Sequence, residues 1–192
     1  MSSHTLDTPQ SASTHQVSAV TVSRKGGIAV AALRIALGFV FLWAFLDKTF
    51  GLNYATPSAK SWINGGSPTN GFLKSVEVGP FQSFFNSIAG TWWANILFMA
   101  GLLAIGVTLI LGFALRFSAV ATAIMMAMMW AAEWPLAQFT STGASNGSSN
   151  PLTDSHLIYA LAAIVLAVIG AGHYFGVGAW WDKVTGGNKW LR

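Results

Sequence analysis

Four long apolar stretches, Ile28 to Phe50, Trp92 to Leu115, Phe117 to Leu136 and Leu157 to Gly176, constrain this chain more than any motif does. Each meets the roughly 20 apolar residues of helix that cross a bilayer core. The reading is all-α: an integral membrane four-helix bundle of four spans in one domain. Composition agrees, since 53% of the residues are hydrophobic and 8% charged, against about 25% charged in an ordinary soluble domain. A soluble core of this size hides far less apolar surface, so lipid must cover the excess.

The net charge of +4 and pI of 9.7 do not indicate a nucleic-acid partner, because no basic cluster is longer than Arg24-Lys25. The basic residues read instead as topology. With the first helix starting inside, Arg24, Lys25, Arg116, Lys183, Lys189 and Arg192 are cytoplasmic and only Lys60 and Lys74 are outside, as the positive-inside rule requires. Both termini are then expected in the cytoplasm of a prokaryote whose cytoplasmic membrane holds the chain. Residues 1–23, rich in Ser, Thr, His and Gln, read as a disordered tail. Residues 24–182 form the membrane domain and 183–192 a second tail. The apolar run after Arg24-Lys25 is too long for a signal core, so the first helix is expected to stay as an anchor. The outer loops are 51–91 and 137–153. Within the first, Pro80 to Ile88 places its apolar residues at helical spacing, which predicts a short amphipathic helix at the outer surface. Gly38, Gly101, Gly106, Gly170 and Gly172 would let helices approach closely.

Several chemistries are excluded. With no cysteine there is no disulfide, thiolate metal site or iron–sulfur cluster. His156 and His173 lie at opposite ends of one span and cannot ligate one haem. The run Met125-Met126, Met128-Met129 reads as packing, and no nucleotide-binding or nucleophile-elbow motif is present. No haem, flavin or metal site is expected.

Charges inside a span cost at least about 2.5–3.5 kcal/mol, so each needs a partner or a purpose. Asp47, Lys48, Glu133, Asp154 and His156 all fall near the outer ends of three helices, where a bundle brings them to one level. This is the candidate site. Glu133 and His156 are the expected proton carriers, with Lys48 pairing with Glu133 or Asp47 or attracting an anion. Trp130 and Trp134 would add an aromatic wall, and Trp62 and Asn64 in the outer loop would add anchors. Bland roles stand beside these: Asp154 as a helix cap, Lys48 reaching to headgroups, His156 as an interfacial histidine. Arg34, about 9 Å into the first span, needs a carbonyl, an anionic lipid, a ligand carboxylate or a bundle partner.

The segment Leu33-Arg34-Ile35-Ala36-Leu37-Gly38 running to Asp47-Lys48-Thr49-Phe50-Gly51 resembles the opening of the DoxX/DoxD family of small four-helix membrane proteins, and Tyr54 to Pro68 is similar to the outer loop of a DoxD-like subgroup. The resemblance runs over about residues 28–180. It implies respiratory redox chemistry: a membrane subunit of a quinone-linked oxidoreductase, with thiosulfate or a related sulfur compound oxidised at the outer face, quinone as diffusible acceptor, and a second protein subunit or further copies of the chain as partner. The other reading is a non-catalytic scaffold within a redox-stress complex, in which the charged cluster only sets helix register.

Overall fold

The computed structural model describes residues 23–188. The tail expected over 1–23 and the end of the chain past 188 lie outside these residues, apart from Ser23, which caps the first helix. Helix α1, Arg24–Phe50, starts where the Ser23 hydroxyl accepts the Gly26 N–H and stops at Gly51, whose φ of 67° is left-handed. The first outer loop follows, with two 3-10 turns, Ser58–Lys60 and Trp62–Asn64, and two short helices, α2 (Asn70–Lys74) and α3 (Gln82–Ile88). Then come α4 (Trp92–Leu111), α5 (Leu115–Glu133), α6 (Ser155–Val168), a 3-10 turn at Ala171–His173, and α7 (Gly178–Val184). The short helix expected at Pro80–Ile88 is α3.

Helices α1, α4, α5 and α6 alternate in direction and form a bundle. The α1–α4 and α5–α6 faces carry most of the packing, and α4–α5 and α1–α6 contacts close the ring. The core contains Leu37, Phe41, Met99, Leu102, Ile105, Leu109, Met126 and Leu166. Outward faces stay apolar: Leu97, Phe117, Val120, Ile124 and Val168 are all exposed, a belt that lipid and not water must cover. Exposed Trp92 lies at one end of the bundle and exposed Trp180 at the other, as interfacial aromatics do. Helices α1, α4 and α5 are long and apolar enough to cross a membrane.

The fourth apolar stretch departs from expectation. Its helix has 14 residues, about 21 Å at 1.5 Å per residue, and does not continue to Gly176. Gly170 turns left-handed at φ 64°, and the carbonyls of Tyr174 and Phe175 bond to Arg34 rather than extending the helix. Close backbone approach explains the turn, since a Cβ on Gly172 would overlap the Gly112 carbonyl.

Two glycines let α1 and α4 touch. A Cβ on Gly38 would stand 2.9 Å from the Ile110 nitrogen, and one on Gly106 would stand 2.8 Å from the Leu42 nitrogen. Gly106→Val is therefore expected to separate the helices and destabilise the bundle by about 1–3 kcal/mol. A lowered thermal unfolding midpoint in detergent checks this, and an unchanged midpoint would refute it.

The first outer loop has its own small core, in which Leu73, Val76 and Phe85 pack against Ala132 near the end of α5. Asn95 on α4 pins it by accepting from the Thr69 N–H, the Thr69 hydroxyl and the Ser67 hydroxyl. The loop thus caps one end of the bundle, over the last turn of α5.

Candidate functional site

At that capped end α5 finishes on Glu133 and α6 begins after Asp154, two helices packed side by side. Asp154 is the N-cap of α6, and its Oδ1 accepts the N–H groups of His156 and Leu157. Its Oδ2 lies 2.7 Å from His156 Nδ1. Burial raises the Asp154 carboxyl, but hydrogen bonds from the His156 ring and the Leu157 backbone outweigh that and hold it below its ordinary value. The carboxylate is an acceptor only, so the proton sits on Nδ1 and the ring is locked in one orientation. His156 Nε2 faces Glu133 Oε1 at 3.9 Å, with the imidazole 9% exposed and the Glu133 side chain 48% exposed. The ligand-type atoms of Glu133, Asp154 and His156 all lie within 4.8 Å of one another.

Two hollows meet at this cluster. One, of about 360 Å³, is an apolar groove between α5 and α6, walled by Ala123, Met126, Trp130 and Ala160, with His156 as its polar group and exposed Leu152 and Leu157 at its rim. The other, of about 250 Å³, is polar and lies under the outer loops, with Ser75, Glu77, Glu133, Thr140 and Asn146 on its walls. Glu133 faces the polar hollow and His156 the apolar one.

The end of α5 is held firmly. Trp134 adopts φ 42°, a left-handed conformation costly for a bulky residue. Its ring packs edge-on to Trp130 at 5.5 Å, and a Cβ on Gly79 would stand 2.9 Å from it. Asn146 Nδ2 bonds the carbonyls of Glu133, Trp134 and Ala137, satisfying groups that a helix end leaves open.

Of the residues expected at the site, Glu133, Asp154, His156 and Trp130 converge, with Trp134 behind Trp130. The rest do not join them. Asp47 is 2% exposed and accepts the N–H groups of Tyr54 and Ala55, closing the turn after α1. The ion pair expected between Lys48 and Glu133 or Asp47 is absent among the described residues, because the Asp47 carboxylate is turned into that loop. Trp62 packs against the bundle core. Asn64 is exposed and donates to the Ser58 carbonyl. Arg34 lies toward the opposite end of the bundle, fully buried, and donates to the carbonyls of Leu109, Ile110, Tyr174 and Phe175. There it joins three chain segments, α1, the end of α4 and the turn after α6, and a carbonyl is one of the partners expected for it.

Asn146, Glu77 and Gly79 carry no site signal in the sequence, and Met126 reads there only as packing. Asn146-Gly147 reads only as a turn signal, and nothing in sequence spacing shows that Asn146 folds back on α5.

The fold and site define an all-helical membrane protein with a carboxylate–histidine–carboxylate cluster where an apolar groove meets a polar cavity. The DoxX family model matches residues 29–134, more than half of the chain, and the chain belongs to the DoxX family. Glu133 falls at the end of the matched segment, whereas Asp154 and His156 lie past it. No curated protein and no solved structure matches the chain.

Proposed function

We propose that this protein is the membrane subunit of a DoxD-like, quinone-linked oxidoreductase, with its proton-handling site at Glu133, Asp154 and His156. The observation that carries the reading is the buried imidazole of His156, fixed by Asp154, at the polar head of an apolar groove that opens between α5 and α6. The groove volume of about 360 Å³ falls within the usual range for small-molecule sites, and its Trp130 and Met126 walls suit a flat ring. Quinone, when bound, accepts two electrons and two protons. His156 Nε2 hydrogen-bonds a ring oxygen and delivers a proton there. Glu133, half in water, returns the proton to His156 from the polar hollow. Asp154 stabilises the imidazolium and keeps Nδ1 protonated.

The electron donor that the family resemblance implies is thiosulfate or a related sulfur anion at the outer face. The polar hollow carries Glu77 and Glu133 and, among the described residues, no Lys or Arg on its walls, so it repels a dianion. The donor then docks away from this hollow, with Lys48 as a cation at the outer end of α1 or with a second subunit supplying the site.

We further infer four crossings with the first helix starting inside. Arg24, Lys25, Arg116 and Lys183 fall at one end of the bundle, and Lys60 and Lys74 in the loop at the other. The short α6 is completed by the turn at Ala171–His173.

Membranes from matched cells with and without the chain test the redox reading through anaerobic, thiosulfate-dependent quinone reduction. Expected is a rate that needs the chain and falls about 10²-fold or more in Glu133→Gln at equal abundance. A rate unchanged in that variant removes Glu133 from proton transfer. Loss of a partner subunit without change in turnover per complex would replace this reading with the scaffold.

A further inference from the structure

We propose that Glu133 and His156 bind a divalent transition-metal ion of the zinc class between them, with Asp154 as the positioning residue behind the imidazole. This site coincides with that of the proposed function and excludes its proton step while the ion is bound, since Nε2 carries either the ion or the proton; it stands on ligand geometry and has its own readout. His156 Nε2 and Glu133 Oε1 are 3.9 Å apart, too far for a hydrogen bond. They face each other across a gap. An ion bonded to each at about 2.0–2.2 Å spans that gap, and a small turn of the half-exposed Glu133 brings the pair to the roughly 3.4 Å separation of tetrahedral ligands.

The imidazole is prepared for this. Its side chain is 9% exposed, Nε2 has no hydrogen-bond partner among the described residues, and Nδ1 is 2.7 Å from the Asp154 carboxylate. Metal-bound histidines almost always donate their other N–H to such a group, which fixes the tautomer and raises the basicity of the ligating nitrogen. Asp154 is not itself a ligand, because Oδ1 takes two backbone N–H groups and Oδ2 takes the ring. Charge argues the same way: two carboxylates flank one imidazole, and a dication neutralises them. Access runs through the polar hollow, where Glu77 and Glu133 attract cations. One nitrogen and one oxygen ligand select zinc, cobalt, nickel or copper over magnesium and calcium. Two protein ligands leave the remaining positions to water, so the ion is exchangeable.

The test uses the purified full-length chain in detergent, stripped with chelator and titrated with Co²⁺, whose visible absorption reports coordination. Expected is one Co²⁺ per chain, displaced by Zn²⁺ and not by excess Mg²⁺. His156→Ala and Glu133→Gln should each weaken binding at least about 10-fold. Asp154→Asn keeps a good helix cap and should weaken it by about 10–100-fold. Glu77→Gln should bind nearly as the unaltered chain does. No Co²⁺ signal from folded protein would overturn the proposal, as would unchanged binding in His156→Ala. Loss in Glu77→Gln with retention in Glu133→Gln would overturn it too, by putting the ion elsewhere in the hollow. Quinone reduction is not part of this readout, so the two proposals fail separately.

Discussion

Arg34→Ala is expected to destabilise the bundle by about 3–5 kcal/mol, because buried carbonyls lose their donor and a cavity is left. The guanidinium is fully buried and holds carbonyls of Leu109 and Ile110, near the end of α4, and of Tyr174 and Phe175, after α6. Without it those carbonyls lose a charged donor in a place water does not reach, each at about 1–3 kcal/mol, and a cavity remains. Arg34→Lys keeps the charge but loses the planar fork that reaches two segments at once, so it should recover only part of the stability. Gly112→Ala offers an independent check. Its Cβ would stand 2.6 Å from Arg34 Nη1, at a backbone φ of 77°, and so should mimic loss of the arginine. Unfolding in mixed micelles followed by helical circular dichroism measures all three. Arg34→Ala unfolding like the unaltered chain would mean that the carbonyl contacts contribute nothing.

On the proposed function, Asp154→Asn is expected to leave the fold in place and to lower quinone-linked turnover by about 10²–10⁴-fold. Asparagine caps a helix as well as aspartate does, so the N–H groups of His156 and Leu157 keep an acceptor. The group facing Nδ1 then becomes an amide donor, which moves the ring proton to Nε2 and removes the negative charge that supports an imidazolium. Stability should respond only in acid. The native Asp154 carboxyl is held low, so its contribution is present above the ordinary carboxylate value of about 3.9. That contribution is lost as pH falls through the lower native value. The asparagine variant should lack this acid-dependent loss and otherwise unfold normally. Normal turnover in Asp154→Asn would remove His156 orientation from the chemistry.

The site was half legible. Glu133 and His156 stood out because an ionisable group near a span end is expensive wherever it lies, and that cost is written in composition and depth alone. Lys48 and Asp47 carried the same signal and went elsewhere. Depth shows how far along a helix a residue lies but not which way it points around the axis, and the Asp47 carboxylate serves Tyr54 and Ala55. Arg34 was legible as a buried charge in need of a partner. A carbonyl was among the partners expected for it, but which carbonyls was not legible, because main-chain groups belong to no residue type.

The sequence by itself determined that the chain is a helical membrane protein, where its long apolar helices lie, and that α3 is short and amphipathic. These follow from local hydrophobic length and period, which need no knowledge of neighbours. Only the tertiary structure decided that α6 stops at Val168, that Asn146 and Gly79 brace the end of α5, and that Asp154 locks His156 opposite Glu133. Each depends on contacts between residues distant in the chain or on side-chain direction at a helix end, and neither is encoded in the spacing of residue types.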